Sequence, residues 1–297
     1  MQTQIRIAAI QQGPRAEDPK WNLADLLKSI DAAASGGVDY IVATELSLTP
    51  YFCGEPTHAY QKWAEATDGE ATAAVAAKAR EHRATIIFPF FRRDEEKGKY
   101  YNSAVVIGPD GSLVEGELPG GRRVRHFDKA HLPKIHAETL VTDEQYHFEP
   151  GEGFPLFNMS NARVGMLICY DRRFPEAWRT LALGGAEIVF LPACVPAWET
   201  ASAASSAEMF VAELRTRALE NLFYVVACNR AGFETVAGNK TLFFGESCVI
   251  GPGGTVLARG LANAPCVVRA TIDLAEVARM RQRLPLLSER RGELYLR

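Results

Sequence analysis

The sequence predicts an α/β fold in which mixed β-sheets are covered by helices. Two observations carry this. β-rich apolar runs alternate along the chain with segments whose apolar residues recur at helical spacing. Two further β-runs turn back on themselves around Gly-Pro-x-Gly, which adds antiparallel strands to the alternating pattern. A third observation narrows the class. No Gly-x-Gly-x-x-Gly follows the first strand and no P-loop occurs, so the nucleotide-binding versions of the fold are set aside.

In chain order, residues 5–10 read as a strand. Residues 22–34 place Leu23, Leu26, Leu27, Ile30 and Ala34 at helical spacing, and Gly36-Gly37 ends that helix. Residues 40–44 form a strand that delivers Glu45. An Ala-rich helix over 69–82 follows, then a nearly continuous apolar strand over 84–91, expected to be covered on both faces. Residues 103–114 read as a hairpin around Pro109-Asp110-Gly111, with proline at the second turn position. Residues 119–153 are polar and lack periodicity. Such a stretch inside a compact fold is a functional loop region or disordered. Residues 154–157 and 164–168 flank a turn at Ser160-Asn161-Ala162. A helix over 174–183 has Pro175 in its first turn, where a missing N–H costs nothing. Strand 186–192, helix 205–221 and strand 223–229 continue the alternation. The second hairpin, 246–259, repeats Val-Ile-Gly-Pro-x-Gly from 106–111 at 249–254, which suggests two pseudo-equivalent halves. A strand over 265–273 and a short helix over 274–283 close the chain. The last segment has few apolar partners of its own.

Composition limits the function. With 297 residues, 47% hydrophobic and 23% charged, the chain builds a sizeable core without disulfides, and it is read as a single domain over 1–297. A net charge of −3 gives no electrostatic case for nucleic acid or an anionic membrane. No run of eighteen apolar residues predicts a membrane span, and residues 1–13 lack the pattern of a secretory leader. Six scattered cysteines without a Cys-x-x-Cys pair read as reduced thiols, so a cytoplasmic location is expected.

The stretch with chemistry in it is 163–176. An apolar strand ends at Cys169, Tyr170-Asp171-Arg172-Arg173 break the pattern, and a helix begins. A turn of this kind lifts a side chain out of the sheet and aims backbone N–H groups beside it. The helix start and two arginines are expected to favour a thiolate. Most cysteines after a β-run are inert filler, so the assignment needs partners. A thiol needs a base, and acyl transfer needs an oxyanion stabiliser. Glu45, directly after a buried strand, is a candidate base whose pKa desolvation should raise. Lys129, in His126-Phe-Asp-Lys-Ala-His-Leu-Pro133, is a candidate oxyanion donor, and Glu144 is a second acid. Each taken alone is more often a solvated surface charge. A Cys–His pairing with His131 as base is the alternative. Histidines 126, 131, 136 and 147 match no metal-binding helix face, so no metal is expected.

Glu45 in Ala-Thr-Glu-Leu, Lys129 in Phe-Asp-Lys-Ala-His-Leu-Pro and Cys169 in Gly-Met-Leu-Ile-Cys-Tyr-Asp-Arg-Arg-Phe-Pro-Glu together resemble the Glu–Lys–Cys triad of the nitrilase (carbon–nitrogen hydrolase) superfamily. The resemblance covers nearly the whole chain. It implies a four-layer αββα sandwich with mixed β-sheets, no cofactor, and a homodimer or higher homo-oligomer, with residues 274–297 as a C-terminal tail at a subunit interface. It also implies that Cys169 attacks, Glu45 moves the proton, Lys129 and the N–H of Tyr170 hold the oxyanion, and Glu144 holds Lys129 or positions water and substrate.

On substrate, Cys-Tyr-Asp stands where true nitrilases usually show Cys-Trp-Glu, which disfavours nitriles. The tandem Asp-Arg-Arg is similar to the N-carbamoyl-amino-acid amidohydrolases. There Arg172 is expected to clamp a substrate carboxylate, with Arg173, Tyr170 and His131 as further substrate-binding candidates. The plainer reading pairs Arg172 with Glu176 on the helix. The expected activity is hydrolysis of an N-carbamoyl amino acid to amino acid, ammonia and carbon dioxide. A carbamoylated amine such as N-carbamoylputrescine, or a plain carboxamide, is the alternative substrate. A non-catalytic scaffolding subunit is the alternative from another class.

Overall fold

Alternate residues of the central strands enter two different cores, and this places the layers. The computed structural model describes residues 4–136, 141–197 and 202–295. The chain opens with β1 (Gln4–Gln11), α1 (Pro19–Ala34), β2 (Tyr40–Val42), α2 (Glu70–His82), β3 (Thr85–Asp94) and β4 (Lys99–Ile107). Strands β1, β2 and β3 run parallel, and β4 returns antiparallel to β3. Along β1, Ile7 and Ala9 join a core shared with the second sheet. Ala8 and Ile10 pack instead with Leu26, Ile30, Val75 and Ala79 of α1 and α2. This two-faced burial is why these strands read as continuous apolar runs rather than alternating ones.

The middle of the chain holds β5 (Gly116–Glu117), β6 (Arg123–Val124), β7 (Phe127–Asp128), β8 (Lys134–His136), β9 (Val141–Asp143) and the one-turn helix α3 (Glu144–His147). The second half supplies β10 (Leu156–Asn158), β11 (Arg163–Met166), α4 (Pro175–Leu183), β12 (Ile188–Ala193), α5 (Ala203–Asn221), β13 (Tyr224–Asn229), β14 (Ala231–Val236), β15 (Asn239–Phe244), β16 (Cys248–Ile250), β17 (Val256–Arg259), β18 (Cys266–Asp273) and α6 (Ala275–Arg283). Here β11, β12 and β13 are parallel and β16 is antiparallel to β13. One sheet has the order β18-β1-β2-β3-β4-β7, and the other β17-β16-β13-β12-β11-β10-β5-β6. Helices α1 and α2 lie on the first sheet and α5 on the second, with α4 packed beside α5. Strand β1 of one sheet faces β13 of the other.

The repeated Val-Ile-Gly-Pro-x-Gly falls at corresponding places in the two halves, at the ends of β4 and β16. Its hydrogen bonds correspond as well: Gly108 N to Ser112 O at 2.8 Å and Gly251 N to Thr255 O at 2.9 Å. Gly111 and Gly254 both take left-handed φ, +80° and +76°. The two turns differ in their return strands. The 103–114 hairpin returns as a single bridge from Ile107 to Leu113, because the chain then leaves for the other sheet, where β5 pairs with β10. The polar stretch 119–153 is not structureless where described. It contributes four short strands and α3, and β7 pairs with β4, so Lys129 enters the core directly from a sheet edge. Past α6, the side chains of Leu284, Leu286, Leu294 and Tyr295 are exposed. Among the described residues no helix is long and apolar enough to cross a membrane.

Candidate active site

The site collects at strand ends in the middle of the molecule. Strand β2 ends just before Glu45, whose carboxylate is fully buried. Strand β7 ends at Asp128, and the next residue, Lys129, is buried with it. Glu144 opens α3, and its carboxylate is also withdrawn from solvent. The Lys129 ammonium donates to Glu45 Oε1 at 2.8 Å and to Glu144 Oε1 at 2.7 Å. An ammonium has three protons, so one remains beyond these two bonds. Burial alone lowers the Lys129 pKa, but the Glu144 and Glu45 carboxylates outweigh it and hold it well above the usual lysine value. The two acids therefore bracket a permanently charged lysine.

Cys169 follows β11 at φ +47°, a left-handed backbone on a non-glycine residue. The 3₁₀ turn Cys169–Arg173 then separates it from α4, which starts at Pro175. This corrects the expectation of a ready-made thiolate. The N-terminus of α4 is separated from Cys169 by that turn. Burial and the Glu45 carboxylate push the Cys169 thiol up to about 12, against the pull of Lys129 and Arg172. The thiol is neutral at rest and needs a base at the moment it reacts.

Asp171 braces the turn. Its Oδ2 accepts from Ile168 N at 3.0 Å and its Oδ1 from His131 N at 2.9 Å, with His131 Nδ1 on the same oxygen at 2.8 Å. The His131 ring also stacks on Phe174 with centroids 3.6 Å apart. His131 is thus tied to the far side of the turn, and the Cys–His alternative has no supporting geometry. Tyr170 packs edge-on against Phe174. Among the other histidines, His126 faces Asp128 and His147 meets the Glu55 carbonyl, so these do not converge on one point.

Arg172 is buried with Nη1 at 3.0 Å from the Cys169 carbonyl oxygen and 4.0 Å from its sulfur. Its charge partner is not Glu176 but Glu213 of α5, at 3.3 Å, and Arg173 reaches the same carboxylate oxygen at 3.1 Å. Sequence spacing favoured Glu176, one helical turn away. The stacking of α4 beside α5 brings Glu213 closer instead.

Three contacts escaped the sequence reading. Asn102 Nδ2 donates to Glu45 Oε1 at 2.7 Å, and Cys194 N donates to Glu45 Oε2 at 2.8 Å. Tyr51 Oη donates to Glu144 Oε1 at 2.8 Å. Asn102 carried a usable signal, as a polar amide at the head of the apolar run Ser103-Ala-Val-Val-Ile107. Glu144 Oε2 is buried without a hydrogen-bond partner, and burial raises the Glu144 pKa to about 7 despite Lys129. The turnover rate is therefore expected to fall as pH drops through about 7, as this carboxylate takes up a proton and loses the charge that pairs with Lys129. A kcat profile that stays flat from well above that value to well below it would contradict this.

The arrangement can polarise a carbonyl beside a buried thiol and move a proton through a neighbouring carboxylate, which is the chemistry of amide hydrolysis. Comparison with known proteins agrees. The chain is 30% identical over 294 residues to a citrullinase of Francisella tularensis, covering 98% of this chain and 96% of that one. It is 29% identical over 297 residues to an N-carbamoylputrescine amidase of Solanum lycopersicum, covering 98% and 93%. A crystal structure of a carbon-nitrogen hydrolase from Helicobacter pylori G27 superposes with a TM-score of 0.85 at 27% identity, covering 99% of this chain and 97% of that one. The carbon-nitrogen hydrolase family model matches residues 6–282. The chain therefore belongs to the carbon-nitrogen hydrolases, within the nitrilase superfamily, and acts on the C–N bonds of linear amides.

Proposed function

We propose that this enzyme hydrolyses the terminal ureido or carboxamide group of a small aliphatic molecule, and that N-carbamoylated amines are better substrates than N-carbamoyl amino acids. In this reading Cys169 attacks the carbonyl carbon while Glu45 takes the thiol proton and passes it to the departing nitrogen. The spare Lys129 proton and the Tyr170 N–H hold the oxyanion. Water then cleaves the thioester with Glu45 again as base, and a carbamoyl substrate ends as amine, ammonia and carbon dioxide. Glu144 Oε2 is buried and unpartnered, which supports assigning it to accept from an N–H of the substrate.

The observation that carries the substrate class is the state of Arg172. Its Nη1 lies 4.0 Å from the sulfur, yet the side chain already donates to the Cys169 carbonyl and pairs with Glu213. Arg173 leans on the same carboxylate. A carboxylate from the protein already balances the Arg172 charge at ion-pair distance, although Arg172 Nε makes no hydrogen bond among the described residues. This weakens the N-carbamoyl-amino-acid reading drawn from the tandem arginines. Two of the relatives, named for citrulline and N-carbamoylputrescine, act on molecules with a terminal ureido group on a flexible chain.

Ammonia release from N-carbamoylputrescine, citrulline, simple carboxamides, N-carbamoyl-D- and L-amino acids and a nitrile tests the proposal. The N-carbamoyl amino acids are expected to be slower than the best ureido amine by about tenfold or more in kcat/KM, and fastest turnover of those acids would overturn it. Glu213→Gln is expected to free the guanidinium. It should raise the ratio of acidic to neutral substrate turnover by about tenfold, roughly one ion pair's worth of binding. An unchanged ratio would remove Glu213 from the specificity argument.

A further inference from the structure

Downstream of β2 the chain makes a compact turn over residues 45–51 that carries two of the site's groups. Glu45 stands at its start, and Tyr51, whose hydroxyl holds Glu144, stands at its end. Leu46 within it has a left-handed φ of +47°, a conformation a leucine adopts only when its surroundings impose it. What imposes it comes from the distant segment that leads into β14. Arg230, fully buried, donates through Nη2 to the carbonyl oxygens of Glu45 and Leu46, each at 2.9 Å. Its Nη1 reaches the Thr49 carbonyl at 3.1 Å and Glu234 Oε2 at 2.9 Å. Glu234 in turn accepts from Tyr51 N at 2.6 Å and from Arg15 N at 2.8 Å. One ion pair thus holds three carbonyls and one N–H of the same turn.

We propose that the Arg230–Glu234 pair is a positioning device that sets both ends of the 45–51 turn, and through them the placement of Glu45 and Glu144 on either side of Lys129. The inference rests on the reading of Glu45 and Glu144 as the working acids. The physical case is one of fit. A buried ion pair can usually be exchanged for neutral side chains at little net cost in stability, so stability alone does not account for it. The planar fork of an arginine, however, reaches several carbonyls at fixed angles, which a lysine's point charge cannot do. The turn is otherwise tied to β3 through Ser47 N and Pro89 O at 3.2 Å. Glu45 O also accepts from Cys194 Sγ at 3.2 Å, and Leu46 O from Thr49 N at 3.0 Å. The arginine adds to these the bonds that join both ends of the turn. The charged and titratable groups around the two acids are Lys129, Cys169, Cys53, Cys194, Tyr51 and Arg230. The protonation of Glu144 therefore depends on its distance from Lys129.

The test compares Arg230→Met/Glu234→Gln, a neutral pair of similar size, with Arg230→Lys. Three readouts are taken: thermal stability, the pH profile of kcat, and the pH dependence of Cys169 alkylation by iodoacetamide, followed by peptide mass. The double variant is expected to fold, to lose kcat on the order of 100-fold with KM changed far less, and to show the acid limb of the profile moved to higher pH. The sign follows because a carboxylate farther from Lys129 is protonated more readily. Alkylation should slow in parallel. Arg230→Lys is expected to keep the fold and a partial loss of kcat. If the double variant fails to fold, the Arg230→Lys profile decides alone. A folded variant with kcat within about threefold of the parent and an unmoved limb would overturn the proposal. Glu45→Gln is the control: if it is inactive while the double variant is fully active, the positioning role fails and the acid assignment stands. If Glu45→Gln is itself fully active, the acid assignment is what fails.

Discussion

Cys169→Ala is expected to lower ammonia release by about 10⁴-fold or more while leaving the fold intact. A thiol held at about 12 is ionised in roughly one molecule in 10⁵ at neutral pH, so reaction depends on proton removal in the attack itself. Removing the sulfur removes the atom that forms the thioester, and no neighbouring group replaces it. The other cysteines near the acids, Cys53 and Cys194, are buried thiols pushed up well above their usual values. The structural cost should be small, within about 1 kcal/mol, since the sulfur's hydrogen-bond contact among the described residues is a long one, from Arg172 at 4.0 Å. Ammonia assays beside a thermal melt check both halves. A folded variant retaining a few per cent of parent activity would end the nucleophile assignment.

Lys129→Met is expected to abolish activity and also to destabilise the protein by about 3–5 kcal/mol. The reason is electrostatic. Glu45 and Glu144 are both fully buried, and each gives its Oε1 to the Lys129 ammonium. Without that charge, two carboxylates remain in a low-dielectric site with only neutral donors, Asn102, Tyr51 and the Cys194 N–H. The variant should relieve this by protonation, which fixes the sign of its pH dependence. Carboxyl pKa values raised above their unfolded values give stability that is full at low pH and is lost as pH rises through the folded values. The melting temperature of Lys129→Met should therefore come closest to that of the parent near pH 5 and fall away as pH rises, since loss of Lys129 moves the Glu144 carboxyl above the value of about 7 that it has beside the ammonium. Adding Glu144→Gln should recover part of the stability and none of the activity. A Lys129→Met protein with parent-like stability across that window would contradict this account of the site.

Much of this was legible beforehand, and the reasons are particular. Strands such as 84–91 and 186–192 are apolar on both faces because each is sandwiched, and an uninterrupted apolar run carries that signal by itself. The repeated Val-Ile-Gly-Pro-x-Gly marked the two halves because a left-handed turn position admits few residues besides glycine. Glu45 and Cys169 stood out as chemical groups placed directly after β-runs, where strand ends put side chains at the edge of a core, whereas Lys129 lay in the irregular stretch and was singled out by its motif. The 119–153 stretch gave weaker guidance, since strands of two or three residues are too short to show a period.

What only the tertiary structure decided is which charges meet. Arg172 was expected to find a substrate carboxylate or Glu176, and it meets Glu213 because α5 packs beside α4. The turn at 45–51 is held by Arg230 and Glu234 from more than 180 residues away. The thiol's resting state reversed the sequence expectation, because burial and the Glu45 carboxylate outweigh Lys129 and Arg172. The physical division is plain. Hydrophobic periodicity and turn chemistry act over a few neighbouring residues, so the sequence by itself determined the alternating strands and helices and the candidate nucleophile, and its resemblance to a known family supplied the layers, the base and the lysine. Burial and Coulomb interactions depend on distance in space, so the partners of each charge, and with them the protonation states and the case for one substrate class over another, were decided by the packing of segments remote along the chain.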